Sequence, residues 1–320
     1  MYGKEDLEIW MSKTKTILVT GGQGLVGSAL KTISDEYGYK FFFTDRSTHD
    51  LTSEDDVKLL FEESKPDYVI HTAARVGGIG RNLSSPAQQF YDNILMNTYV
   101  IDQSSRHGVK KLIAFSSVCA FPASAKIFSE DILHDGAPYP AHGSYAYSKR
   151  MVDVQIEAYN SQYGLNYCSV IPANIFGEND NFSLEDGHVV PSLIHKCFIA
   201  KKQSIALDVW GDGSPMREFL YSKDVARVCL ALLEKNILPQ RIIVSGNQEL
   251  TIKTLVDMIC NLFDYHNVSW SPEKPNGQLR RPSDKSIFNE FFPNHNFTRI
   301  EDALGETIKW FKKNFPRIRK

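Results

Sequence analysis

The run Thr16-Ile17-Leu18-Val19-Thr20 passes directly into Gly21-Gly22-Gln23-Gly24-Leu25-Val26-Gly27 and then into Ser28-Ala29-Leu30-Lys31-Thr32-Ile33. A short β-rich segment, a glycine turn and an amphipathic run in that order constrain the chain more than any other stretch. Glycines permit the tight turn, let backbone come close to a pyrophosphate, and let the helix lie close against the strand. The helix start then offers unpaired N–H groups to negative charge. Gly22, Gly24 and Gly27 satisfy a GxGxxG spacing, and Gly21, Gly24 and Gly27 a GxxGxxG spacing. The context predicts a dinucleotide site that includes Leu25 and Val26 at the helix start.

The pattern then repeats. Phe41–Thr44, Tyr68–His71, Leu112–Phe115, Leu165–Ile171 and Ile242–Ser245 read as strands. Helical patterns separate them over Asp55–Glu63, Tyr91–His107 and Tyr145–Gln162, and again over Tyr221–Glu234. Strands alternating with helices imply right-handed βαβ crossovers and a parallel sheet. The expected fold is α/β, a Rossmann-like doubly wound parallel sheet with a smaller C-terminal α/β substrate-binding domain. The boundaries read as an N-terminal extension over 1–14, a nucleotide-binding domain over 15–175 to which the chain returns around 221–247, and a mainly substrate-binding domain over 176–320.

Ligands of such sheets lie at the carboxyl ends of the strands. After the second strand stand Asp45, a type that holds a ribose 2′-hydroxyl, and Arg46, a type that accommodates a 2′-phosphate, so these residues leave NAD and NADP both open. After the third strand Thr72, Ala73 and Ala74 are small enough for a cofactor to lie close, and a glycine-rich loop follows over Gly77–Asn82. Ser116 ends the fourth strand. Tyr145 and Lys149 are four apart and share a helix face. An ammonium beside a phenol favours the phenolate, and a tyrosine so tuned passes protons to and from a carbonyl oxygen near neutral pH. Taken alone the pair is equally an ordinary surface pair.

Composition removes other classes. A net charge of −2 with no basic stripe argues against nucleic acid as a partner. The first fifteen residues carry Glu5, Asp6 and Glu8 and form neither a signal peptide nor a membrane span. The cysteines Cys119, Cys168, Cys197, Cys229 and Cys260 show no paired spacing, which suggests reduced thiols in a cytoplasmic compartment and no metal site.

Ser116, Tyr145 and Lys149 together resemble the triad of extended short-chain dehydrogenases/reductases. Four further segments narrow the likeness to the GDP-L-fucose synthase family: Ile171–Gly177, Asn179–Phe182, Glu185–Pro191 and Trp210–Phe219. The resemblance runs from Lys15 onward. It implies an NADP(H)-dependent enzyme that converts GDP-4-keto-6-deoxy-D-mannose to GDP-L-fucose by epimerisation at C3 and C5 and hydride reduction at C4. It places Tyr145 as the proton donor to the C4 oxygen, Ser116 as a hydrogen-bond donor to that oxygen, and Lys149 on the nicotinamide ribose. His188 is implied as the epimerisation acid, and Pro172, Asn174, Ile175 and His188 as cofactor contacts. Lys196, Trp210, Arg217 and Asn276 are implied to bind the GDP part. Singly, the first three of these equally fit a solvated lysine, a core tryptophan and a salt-bridged arginine. A homodimer is implied through a four-helix interface made by the helices Tyr91–His107 and Tyr145–Gln162.

One departure stands out. The family's Ser-Ser-Cys or Ser-Thr-Cys carries the epimerisation base, whereas this chain reads Ser116-Ser117-Val118-Cys119-Ala120-Phe121-Pro122. Counted from Ser116, the base position holds Val118. Either the loop bulges and Cys119 brings its sulfur to the same place, or Cys119 packs elsewhere and epimerisation is weakened or lost. The alternatives are therefore a reductase without epimerisation and, from another class, a redox-sensing protein that holds NADP(H) without turnover.

Overall fold

The computed structural model describes residues 14–77, 84–274 and 279–319. The proposed N-terminal extension (but for Thr14), Asn276 and most of the Gly77–Asn82 loop lie outside them. The strands are β1 (Thr16–Thr20), β2 (Lys40–Thr44), β3 (Tyr68–His71), β4 (Lys111–Phe115), β5 (Tyr167–Pro172) and β9 (Arg241–Val244), which form one six-stranded sheet in the order β2-β1-β3-β4-β5-β9. Every neighbouring pair in it is parallel.

Residues along these strands alternate between two cores, as the pleat requires. Ile17, Val19, Ile70, Ile113 and Val170 face one side. There they meet α1 (Leu25–Ile33) through Val26 and Leu30, and α6 (Ser222–Glu234) through Val225 and Cys229. Leu18, Val69, Leu112 and Ala114 face the other side. There they meet α2 (Glu54–Ser64), α3 (Pro86–Arg106) and α4 (Gly143–Tyr163) through Leu60, Ile101 and Val152. With both faces covered, the sheet is the doubly wound one the alternation predicts. Ser53 caps α2 by accepting from the Asp56 N–H, and α4 ends at Gly164 in the left-handed conformation.

A third core holds the remaining elements. β6 (Asn174–Phe176), β8 (Met216–Tyr221) and β10 (Glu249–Thr251) form one small sheet, and β7 (Leu207–Trp210) pairs in parallel with β11 (Val268–Ser271). Phe176, Phe182 and Val209 bury against α5 (Val189–Gln203), α7 (Ile252–Phe263) and α9 (Ile300–Asn314). α8 (Ser286–Phe291) instead joins the first core through Phe288. The C-terminal tail is part of this fabric: the Arg319 carbonyl accepts from the Phe182 N–H at 2.9 Å and so holds the loop that runs to His188.

Candidate active site

The carboxyl ends of β1 to β5 open on one edge of the main sheet. At β1 the chain turns sharply. Gly21 has φ +70°, Gly22 N–H donates to the Thr44 carbonyl, and Gly24 N–H donates back to the Gly21 carbonyl, both at 2.8 Å. A Cβ on Gly27 would fall 2.2 Å from the Gly21 oxygen, and one on Gly21 would fall 2.9 Å from Ala73. The turn is therefore closed to side chains, with Ala73 against it. α1 starts at Leu25 behind Gly24, with no side chain capping it, so the first N–H groups, including those of Val26 and Gly27, face outward for an anion. This cradle fits a dinucleotide pyrophosphate.

The two residues that left the cofactor open are placed differently. Asp45 accepts from Gln23 Nε2 at 2.7 Å and from the Ser47 N–H and hydroxyl at 2.8 and 2.5 Å, which holds its carboxyl below the usual range. It serves the turn. Arg46 is exposed beside it.

Lys149 is buried on α4, and its ammonium donates to the Phe115 carbonyl at 2.9 Å. Burial lowers it to about 8. Beneath it, His71 is held between Thr20 Oγ1 at 2.7 Å and Asn97 Oδ1 at 3.0 Å. Burial and then the Lys149 charge push this imidazole down to about 3, so it stays neutral.

Ser116 and Tyr145 depart from expectation. The Ser116 hydroxyl is buried and donates to the Lys149 carbonyl at 3.0 Å, which ties β4 to α4. Ser117 is the serine that meets Tyr145: its Oγ accepts from the Cys119 N–H at 3.2 Å and interacts with the side chains of both Tyr145 and Cys119. The Tyr145 phenol is raised, not lowered. Burial is the main cause, the neighbouring Cys119 adds to it, and the Ser117 hydroxyl pulls the other way. Lys149 is not among the groups that shift the phenol, so desolvation wins and Tyr145 stays a protonated acid.

Val118–Ala120 form a single 3₁₀ turn rather than extended chain, so a one-residue offset does not reverse direction there. Cys119 lines a cavity of about 160 Å³ together with Val118, Tyr139, His142, Arg217 and Arg281. Burial raises its thiol, while the Ser117 hydroxyl and the Arg281 charge oppose that. Arg150 fixes the turn to α4: its Nε reaches the Ala120 carbonyl at 3.1 Å and its Nη1 the Gly136 carbonyl at 2.8 Å. Counted from Ser117, the run Ser117-Val118-Cys119 keeps the family's serine-to-cysteine spacing with nothing inserted. That count backward from the cysteine was the signal in the sequence for Ser117.

His188 is the residue before α5. Surrounding protein and the Arg319 charge lower its pKa although one side of the residue is exposed. Pro172 ends β5, and Asn174 and Ile175 follow in β6; Asn174 Nδ2 donates to the Glu218 carbonyl at 2.9 Å. Further out, Trp210 is 58% exposed, with the ammonium groups of Lys196 and Lys274 each 5.0 Å from its ring. Asp208 holds Lys274 at 3.1 Å and the indole Nε1 at 3.2 Å. Arg217 donates to the Met216 carbonyl at 2.6 Å. Tyr139, His142 and Lys274 were not singled out in the sequence, because they reach the cleft from segments with no motif spacing; Arg281 lies in the run Pro275–Pro282, which resembles a family loop near the guanosine ribose, but was given no role of its own.

Residues 17–246 match the NAD dependent epimerase/dehydratase family. The GDP-L-fucose synthase of Dictyostelium discoideum is 35% identical over 313 residues, 96% of this chain and 98% of that one. The Escherichia coli K12 GDP-L-fucose synthase is 31% identical over 322 residues, 97% of this chain and 100% of its own. A GDP-L-fucose synthetase from Naegleria fowleri, solved bound to NADP, superposes with a TM-score of 0.91 at 35% identity, covering 97% of this chain and 96% of that one. With likeness at this level along almost the whole length of each relative, the chain belongs to the GDP-L-fucose synthase family of NAD-dependent epimerases/dehydratases.

Proposed function

We propose that this chain is an NADP(H)-dependent epimerase/reductase that converts GDP-4-keto-6-deoxy-D-mannose to GDP-L-fucose. The observation that carries the reading is that Ser117 meets both Tyr145 and Cys119 at the mouth of the sheet, with the cysteine in a cavity. The turn Gly21–Gly27 and the start of α1 hold the pyrophosphate, Arg46 the 2′-phosphate, and Ala73, Lys149, Pro172, Asn174 and Ile175 border the rest of the cofactor. When bound, NADPH supplies the hydride for C4.

The 4-keto group makes the hydrogens at C3 and C5 acidic. Cys119 as thiolate removes a proton from carbon, and His188 returns one from the other face. Charge grows on the C4 oxygen as each proton leaves, and the hydroxyls of Tyr145 and Ser117 stabilise it there. In the reduction Tyr145 gives its proton to that same oxygen. A phenol kept protonated by burial suits this donation. Lys196, Trp210 and Arg217, on elements lying mainly in 176–320, hold the GDP part, with the indole face for the base or sugar and the guanidinium for phosphate. Solvent deuterium should enter C3 and C5 of the product. Tyr145→Phe should lower reduction by about a thousandfold while the protein still binds NADPH. Product free of label at both carbons, or full turnover by Tyr145→Phe, would reject the mechanism.

The same reading extends to assembly. Phe90 and Tyr91 on α3 and Tyr147 and Val154 on α4 are each at least 40% exposed, on two helices that pack together. Two copies joined through these helices would bury them in a four-helix interface. Light scattering at micromolar concentration should give the mass of a dimer, and a monomer there would refute the interface.

A further inference from the structure

We propose that Arg281 is a positioning residue for the epimerisation base, holding its guanidinium in the cleft as the counter-charge that favours ionisation of Cys119. The inference rests on the reading of Cys119 as that base. A thiol in this cavity has a chemical difficulty, since burial disfavours the charged form that must take the proton. The loop that carries Cys119 supplies a hydroxyl, Ser117, and no cation. The cation comes from a distant part of the chain.

Arg281 is fixed in three ways. Its segment bridges to Phe128, whose N–H donates to the Pro282 carbonyl at 2.8 Å and whose carbonyl accepts from the Asp284 N–H at 2.7 Å. Its guanidinium lies over the Phe128 ring at 5.6 Å, and its Nη2 donates to the Ala123 carbonyl. These partners are neutral, so among the described residues its charge is not spent on a carboxylate. The guanidinium and Cys119 line the same cavity.

The other titratable groups facing that cavity do not substitute for it. Glu218 accepts from Ser283 at 2.5 Å and lies 3.5 Å from Lys285. Arg217, whose guanidinium donates to the Met216 carbonyl of its own strand, is a second cation in the cavity, but the charge that acts on the Cys119 thiol is that of Arg281. Burial, and after it the Arg281 charge, lowers His142, so it stays neutral at neutral pH. Tyr145 adds no positive charge, and neither does Tyr139. The arrangement links the ionisation of the base to the segment that adjoins residues 275–278, on the substrate side of the cleft.

The test needs no nucleotide sugar. Cys168, Cys197, Cys229 and Cys260 are buried, whereas Cys119 is partly buried at the wall of a cavity, so iodoacetamide should alkylate Cys119 selectively, with Cys119→Ser as the blank. Measured against pH on the full chain, Arg281→Gln should slow alkylation at pH 7 by roughly tenfold and leave the high-pH plateau unchanged, because the thiolate fraction falls and access does not. Arg281→Lys should keep the wild-type profile. A profile for Arg281→Gln that superposes on wild type, or one in which only the plateau drops, overturns the proposal. If Arg281→Gln does not fold, Arg281→Met decides: a midpoint displaced upward supports the counter-charge and an unmoved midpoint overturns it. Failure here leaves the epimerase reading intact, since that stands or falls on deuterium entering C3 and C5.

Discussion

The glycine turn after β1 and the serine turn after β4 lie on the same edge of one sheet, and they are built on opposite principles. After β1 the functional groups are backbone N–H donors, and side chains are excluded: Gly27 has no room for a single carbon. After β4 the functional groups are side chains, and successive residues point to different places. Ser116 turns inward to a helix carbonyl, Ser117 meets Tyr145, and Cys119 faces the cleft. A backbone site is set by where glycines occur. A side-chain site is set by which way each residue points, so neighbouring serines in one loop do unrelated work.

That contrast can be broken most sharply by exchanging the two serines' fates. Ser117→Ala removes a donor from the C4 oxygen and should cost about a hundredfold in kcat, the effect of losing one oxyanion-type donor. Ser116→Ala removes a buried hydrogen bond between β4 and α4. It should lower unfolding stability by about 1 kcal/mol and leave kcat within a factor of a few. Steady-state kinetics and denaturant melts on both variants check the pair. A larger kcat loss in Ser116→Ala than in Ser117→Ala would return the catalytic role to the first serine and undo the assignment made here.

The same contrast explains what was legible in the sequence. β1, α1 and the glycine turn were readable because period and glycine spacing are local properties, and β3 was placed to the residue. The helices flanking the main sheet were readable within about five residues for the same reason, whereas α7 and α8 were not read. Ser116 was expected beside Tyr145 because the strand end was counted forward, whereas Ser117 makes that contact, and a 3₁₀ turn after the strand is invisible to a strand-based count. The lowered phenol was expected from a four-residue spacing. The spacing is real, but burial decides the balance and Lys149 is not among the groups that shift the phenol. The small sheets β10-β8-β6 and β11-β7 were not drawn, because their strands are three to six residues long and pair across distant stretches. Arg281 reaches Cys119 from 162 positions away, and no spacing rule covers such a distance.

The smallest expected effect sharpens the cofactor side, the one place where a side chain supplements the backbone site. Asp45 and Arg46 are adjacent, and the sequence left both to read the 2′ position. Asp45 is committed on both carboxylate oxygens, one to Gln23 and one to Ser47. A ribose hydroxyl would have to displace one of these bonds, whereas Arg46 is exposed at the same corner with its charge available to a 2′-phosphate. An exposed charge-assisted contact is screened by solvent and is worth about 1 kcal/mol, so Arg46→Ala should raise KM for NADPH by roughly fivefold. NADH, with no 2′-phosphate to lose, should keep its KM, and kcat with saturating NADPH should hold. The measurement is a pair of KM values on one variant. If both rise together, Arg46 shapes the turn and does not read the phosphate, and the discrimination must come from the backbone cradle or from Asp45 after it releases Gln23.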